Sequence, residues 1–190
     1  MRILLDAGHG KDTPGKRSPI WGDGTQLFEW SFNREIVNRI ANILKHKDIA
    51  YSIITPEDID VSLSERVKRV NAIASKEPCM LISVHANAGG GTGWEAWTSV
   101  GKTTSDAYVR EFYNAAHLLL KCPIRVDTLD GDEDKESNFC ILKNTSCPAV
   151  LTENLFMDTE RDCRFIMSEA GKDVIAKLHV SAIEAILKHL

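Results

Sequence analysis

Two histidines in this chain stand at the ends of short apolar runs, each with glycine close by. The first run, Arg2-Ile3-Leu4-Leu5-Asp6-Ala7, stops at Gly8-His9-Gly10; the second, Cys79-Met80-Leu81-Ile82-Ser83-Val84, delivers His85, with Ala86, Asn87 and glycines 89 to 91 behind it. Apolar runs of this length read as buried strands, and glycine beside an imidazole lets the backbone bend and approach a ligand closely. A third run, Pro148-Ala149-Val150-Leu151-Thr152, ends at Glu153, and Glu29 opens a long amphipathic helix after a loop rich in glycine and aromatic residues. In open α/β sheets ligands bind in the crevice outside the carboxyl ends of the strands, so these side chains are expected to face one cleft.

Two neutral imidazoles and a carboxylate suit a hydrolytic zinc site, which takes about three protein ligands and keeps an open position for water. One further carboxylate can then act as the base. Histidines inside helical patterns do not share this setting, so His46, His117, His179 and His189 read as packing or surface residues. Glu29 taken alone fits equally well as a carboxylate placed at a helix N-terminus, where the dipole favours negative charge. Residue types and spacing alone lead as far as a zinc hydrolase.

The same residues, in order along the chain, resemble the zinc-dependent N-acetylmuramoyl-L-alanine amidases of the amidase-3 type. The matching pieces are Asp6-Ala7-Gly8-His9-Gly10, Glu29, Ser62-Leu63-Ser64-Glu65-Arg66-Val67, Ile82-Ser83-Val84-His85-Ala86-Asn87 and Pro148-Ala149-Val150-Leu151-Thr152-Glu153. The resemblance implies that His9, Glu29 and His85 bind Zn2+ and that Glu153 is the catalytic carboxylate. It further implies hydrolysis of the bond between N-acetylmuramic acid and L-alanine in bacterial peptidoglycan. After the glutamate the family usually has Gly-Phe and soon an Asn, where this chain reads Asn154-Leu155-Phe156-Met157-Asp158. A zinc carboxypeptidase-like peptidase cutting within the stem peptide and a non-catalytic peptidoglycan-binding module are the competing readings. A dinucleotide site is disfavoured because Gly8-His9-Gly10 lacks the G-x-G-x-x-G spacing.

The elements that must position these groups follow from periodicity. Residues 11 to 28 read as a loop over the site, with Trp21, Leu27 and Phe28 expected mainly to anchor it to the core. Helices are expected over Glu29 to Lys45, from Ser62 through Ala74, over Ser105 to Lys121, around Cys163 to Met167, and over Asp173 to Leu190. Ser62 with Glu65 three residues later reads as a capping box, which gives Glu65 and Arg66 structural roles. Strands are expected at Ala50 to Thr55, Gly93 to Ser99, Phe139 to Leu142 and Ala149 to Thr152, besides the two that lead to histidines. Residues 127 to 137 read as a solvated acidic loop. Asp130, Asp132 and Asp134 there are spaced like the start of a calcium loop, but Lys135 stands where glycine is needed and Ile141 where a carboxylate is needed. The alternation of patterns predicts an α/β fold: a single three-layer domain, residues 1 to 190, with about six mostly parallel strands in a mixed sheet between helices.

At 190 residues, 43% of them hydrophobic, the chain can bury one substantial core and leaves no room for a second domain. A formal charge of −4 gives no general attraction to nucleic acid or anionic lipid. Five cysteines in no C-x-x-C pattern read as free thiols from a reducing compartment. The strand carrying His9 begins directly after Met1, so no signal peptide is expected, and no apolar run reaches the ~20 residues of a membrane span. With the peptidoglycan partner that the resemblance implies, these features lead to the expectation of a monomer acting on the cell wall after release of the phage-lysin kind or after removal of a leader.

Overall fold

The computed structural model describes residues 1–129 and 131–189. In chain order the elements are β1 (Arg2–Ala7), α1 (Glu29–His46), β2 (Tyr51–Ile53), α2 (Leu63–Ala74), β3 (Cys79–Asn87), β4 (Glu95–Thr98), α3 (Thr104–Leu119), β5 (Lys135–Glu136), α4 (Cys140–Lys143), β6 (Ala149–Phe156), α5 (Glu160–Met167) and α6 (Glu169–Lys188). The six strands form one sheet in the order β2-β1-β3-β6-β4-β5, parallel except where β4 runs antiparallel to β6. This is the expected three-layer α/β arrangement with a mostly parallel mixed sheet.

Alternation along the central strands sends successive side chains to opposite faces. Ile3, Leu5, Met80, Ile82, Val84 and Val150 point to the face covered by α1, α3, α5 and α6, where they join Ile36, Ile40, Phe112, Ile175 and Ile183 in the larger core. Leu4, Leu81, Ala149 and Leu151 point the other way, into a smaller core closed by Val70 of α2 and by Ile141 and Leu142 of α4. That second layer is short, and past it the same face carries Asp6, Ser83, His85, Glu153 and Glu95 in place of hydrocarbon.

Several elements depart from expectation. Phe139 to Leu142 does not form a strand: Cys140–Lys143 is a single helical turn that buries the adjacent pair Ile141 and Leu142 against α2. Over four residues periodicity cannot separate a strand from a helical turn, and contact with the small core decides. The acidic loop is not wholly solvated, since it contributes β5, and Asp134, which is buried, accepts a 2.6 Å hydrogen bond from the Thr98 hydroxyl. Asp130 of that loop and Leu190 of the expected last helix lie outside the described residues. The final helix starts at Glu169, four residues early, because the Ser168 hydroxyl accepts from the Gly171 amide and caps it.

At α2 only half of the expected capping box forms. Ser62 accepts from the Glu65 amide at 3.3 Å, while the Glu65 carboxylate pairs with Arg69 at 3.1 Å. A complete box appears instead at α3, between Thr103 and Asp106. The loop over residues 11 to 28 is anchored as expected: Leu27 is buried and the Trp21 indole donates to the Cys163 sulfur at 3.4 Å, whereas Phe28 is exposed. All five cysteines are free thiols.

Candidate functional site

The site grows from the sheet's polar end. Asp6 of β1 lies in register with Ser83 of β3, and His85 of β3 with Glu153 of β6. His85 and Glu153 were expected at strand ends; both strands run past them, because the backbone ladder continues where the apolar side chains stop. Neighbouring strands are ~4.8 Å apart, so residues in register on one face are immediate neighbours. Beyond Glu153 the pairing slips: His85 opposes Glu153 but Asn87 opposes Phe156, and Leu155 takes a positive φ of 64°. The Asn154 side chain fills this bulge by donating to the His85 carbonyl at 2.9 Å. The chain's departure from the family pattern therefore sits in the bulge, where Asn154 supports the backbone that carries both groups.

His9 follows β1 and itself adopts a left-handed backbone with φ 60°. Its glycine neighbours serve close approach. A Cβ on Gly8 would lie 2.1 Å from the His85 ring, and one on Gly10 would lie 2.0 Å from the Asp60 amide nitrogen. Arg34 of α1 donates to the His9 carbonyl at 2.8 Å, which fixes the turn from outside. Glu29 enters as the first residue of α1 and is 1% exposed.

These elements bring His9, Glu29 and His85 together. One ligand atom from each lies within 4.8 Å of the other two. Glu29 Oε1 is 3.2 Å from His85 Nδ1 and 3.4 Å from His9 Nε2, and it accepts from the Ala86 amide at 3.3 Å. The two imidazoles meet edge to face with centroids 5.0 Å apart. Glu29 Oε2 and Glu153 Oε2 are buried and have no hydrogen-bond partner among the described residues.

Hydrogen-bond polarity fixes the state of His85. Arg66 donates to Asp6 Oδ1 at 2.8 Å and the Ser83 hydroxyl donates to Asp6 Oδ2 at 2.6 Å. A carboxylate only accepts, so the Ser83 oxygen, 3.2 Å from His85 Nε2, must accept the Nε2 proton. The Nδ1 lone pair then faces the Glu29 carboxylate, and two acceptors at that distance are stable only with positive charge between them. A proton can supply it, as can a metal ion. Burial acts to lower the His85 pKa, but the Glu29 hydrogen bond and the charges of Glu153, Glu29 and Asp6 outweigh it and the pKa rises. Burial likewise acts to raise Glu29, and its hydrogen bonds to His85 and His9 hold it well below the usual carboxylate range. The donor set, the orphaned Glu29 oxygen and the unbalanced lone pairs fit a divalent cation. Arg66, expected to be structural, holds the polar layer beneath that set.

Glu153 behaves in the opposite sense. Burial, followed by the Glu29 and Glu95 charges, pushes its pKa up to about 7 against the pull of His85 and Lys16. A carboxyl group near neutrality can both take and return a proton. The remaining histidines stay away from the cluster: His117 is near Glu133 at 3.4 Å on the surface, and His179 is buried on the opposite face of the sheet. Sequence reasoning did not single out Glu95 or Asn87 as site residues. Glu95 lies in register with Glu153 and Asn87 donates to it at 2.9 Å, and an alternating strand pattern could have placed Glu95 on the face of the site.

Comparison with known proteins agrees with this geometry. Residues 3–185 match the family model described as N-acetylmuramoyl-L-alanine amidase. Among curated proteins, an endolysin of Bacillus phage SPP1 is 29% identical over 187 residues, covering 97% of this chain and 65% of its own length. The sporulation-specific N-acetylmuramoyl-L-alanine amidase of Bacillus subtilis (strain 168) is also 29% identical, over 97% of this chain and 67% of its own length. The chain thus spans about two thirds of these relatives. The crystal structure of an N-acetylmuramoyl-L-alanine amidase from Clostridium difficile 630 superposes with a TM-score of 0.83 at 24% identity, covering 98% of this chain and 96% of that one, and so shares the fold. With the match running through β1, the His9 turn, Glu29, β3 and β6 alike, the chain belongs to the N-acetylmuramoyl-L-alanine amidase family.

Proposed function

We propose that this chain, as one catalytic domain, hydrolyses the amide bond between N-acetylmuramic acid and L-alanine in bacterial peptidoglycan, with His9, Glu29 and His85 holding one zinc ion and Glu153 moving the proton. The observation that carries the reading is the convergence of those three side chains beside a carboxylate whose pKa is pushed up to about 7. Two imidazoles and one carboxylate are a common protein ligand set for hydrolytic zinc. When bound, the ion polarises the scissile carbonyl as a Lewis acid and makes a water molecule acidic near neutral pH.

The amide needs three things from the protein. Its carbonyl must be held, the attacking water must lose a proton, and the departing nitrogen must gain one. Glu153 serves the last two in sequence: its carboxylate accepts the proton of the water as it attacks the lactyl carbonyl, and the resulting carboxylic acid passes that proton to the L-alanine nitrogen. Strand register places it next to His85, and its orphaned Oε2 is available for the transfer. Lys16, exposed in the loop over the site, favours its ionised form. Asp6, Ser83 and Arg66 do not touch the reaction; they orient His85.

The test is mass analysis of digested peptidoglycan. The expected products are intact glycan and peptides with a free L-alanine amine. New ends inside the stem peptide would instead identify a peptidase using the same site.

A further inference from the structure

The row of side chains on the open face does not end at Glu153. Glu95 of β4 lies in register with it on the side away from His85, so His85, Glu153 and Glu95 occupy three adjacent strands. Glu95 is 3% exposed and is fully engaged. Its Oε1 accepts from Asn87 at 2.9 Å and from the Trp97 indole at 3.2 Å, and its Oε2 accepts from Arg125 Nε at 2.5 Å and Lys135 Nζ at 2.8 Å.

One buried carboxylate therefore holds two cations on a single oxygen, leaving a surplus positive charge. Either cation alone would neutralise Glu95, and two side by side repel each other. Both are also fixed by aromatic rings, with the Arg125 guanidinium 5.2 Å from the Phe156 centroid and the Lys135 ammonium 5.1 Å from that of Trp97. Arg125 engages Glu95 through Nε alone, and its terminal nitrogens have no partner among the described residues while its side chain is 40% exposed. Such an edge suits bidentate recognition of a carboxylate.

Resting on the function proposed above, we infer that Arg125 and Lys135 form a subsite for a carboxylate on the peptide side of the scissile amide. The sugar side cannot supply the anion: the lactyl carboxyl is consumed in the amide and N-acetylated sugars are neutral. Along an extended peptide the carboxyl group of the residue after alanine lies roughly 7 Å from the scissile nitrogen. A strand spacing of ~4.8 Å plus one hydrogen bond of ~2.8 Å covers a similar span from Glu153. The peptide therefore runs from Glu153 toward β4 and β5, and the subsite selects stems whose second residue keeps a free carboxylate.

The experiment is calorimetric binding of two N-acetylmuramoyl dipeptides to the zinc-loaded chain carrying Glu153→Gln, which keeps the ligands intact. One dipeptide has a free carboxylate on its second residue and the other has the amide. The carboxylate form is expected to bind at least 10-fold more tightly, and adding Arg125→Gln or Lys135→Gln should cut that preference to under 3-fold while leaving affinity for the amide form within 2-fold. Arg125→Lys should retain part of the preference, and near-ultraviolet circular dichroism checks that each variant folds. Equal binding of the two ligands, or a preference that survives both neutral substitutions, overturns the subsite. Cleavage of the same ligands by the wild-type chain is scored separately, so a failure of the amidase reading shows as uncut lactyl amide whatever the binding preference.

Discussion

Thr152 and Glu153 are consecutive on β6 and point to opposite faces of the sheet, each toward a histidine. On the closed face His179 is fully satisfied: Nδ1 lies 2.8 Å from the Ile175 carbonyl and Nε2 lies 2.9 Å from the Thr152 hydroxyl. Burial pushes its pKa down to about 4, and it stays neutral as a packing residue among Phe112 and its neighbours. On the open face His85 has Glu29, Glu153 and Asp6 around it and its pKa rises in spite of burial. Burial alone does not make a histidine functional. What separates the two is whether the surroundings complete its hydrogen bonds or leave negative charge that calls for a cation.

The largest effect that can sharpen this contrast is expected at Glu153. Glu153→Gln keeps the shape and removes the proton carrier, so amide hydrolysis should fall ~10²- to 10⁴-fold with zinc content unchanged, read by peptide release and metal analysis. The same variant reports on the folded state without metal. The Glu153 pKa stands at about 7 in the fold against an ordinary 4.5, so its protonated form is favoured by folding. Its stabilising contribution is present below pH 4.5 and is lost as pH rises through 7. Metal-free Glu153→Gln should therefore gain stability over the wild type across that interval and remain about 3 kcal/mol more stable above it, as urea melts at pH 5 and pH 8 would show.

Ser83→Ala removes the acceptor that fixes the His85 tautomer while leaving all three candidate ligands in place. Zinc affinity should drop ~10- to 100-fold, as for other partners that orient a metal-bound histidine. No change in affinity would mean that the Arg66-Asp6-Ser83 chain is only structural. The smallest effect is expected on the other face. His179→Leu leaves the Thr152 hydroxyl short of a partner and should cost about 1–2 kcal/mol in urea melts with zinc affinity unaltered. Loss of metal in that variant would break the division between the two faces.

Much of this division was legible in the sequence. Apolar runs ending at His9, His85 and Glu153 gave the strands, and helical spacing assigned His179 to packing. Glu29 was ambiguous, because a carboxylate opening a helix has an ordinary electrostatic use; to the family resemblance the structure adds its 3.2 Å approach to His85. Register was not legible. It places Glu95 beside Glu153 and Asp6 beside Ser83, and it depends on pairing between segments up to 77 residues apart. The helical turn at Cys140–Lys143 was missed for a related reason, since its conformation follows from the small core it closes.

The account stands most directly on a zinc titration of chelator-stripped protein, followed by calorimetry, for the wild type and for His9→Ala, Glu29→Ala and His85→Ala. One tightly bound ion per wild-type chain, with affinity lost at least 100-fold in each of the three variants, is the predicted result. Unchanged stoichiometry and affinity in the variants would contradict a shared ion at His9, Glu29 and His85.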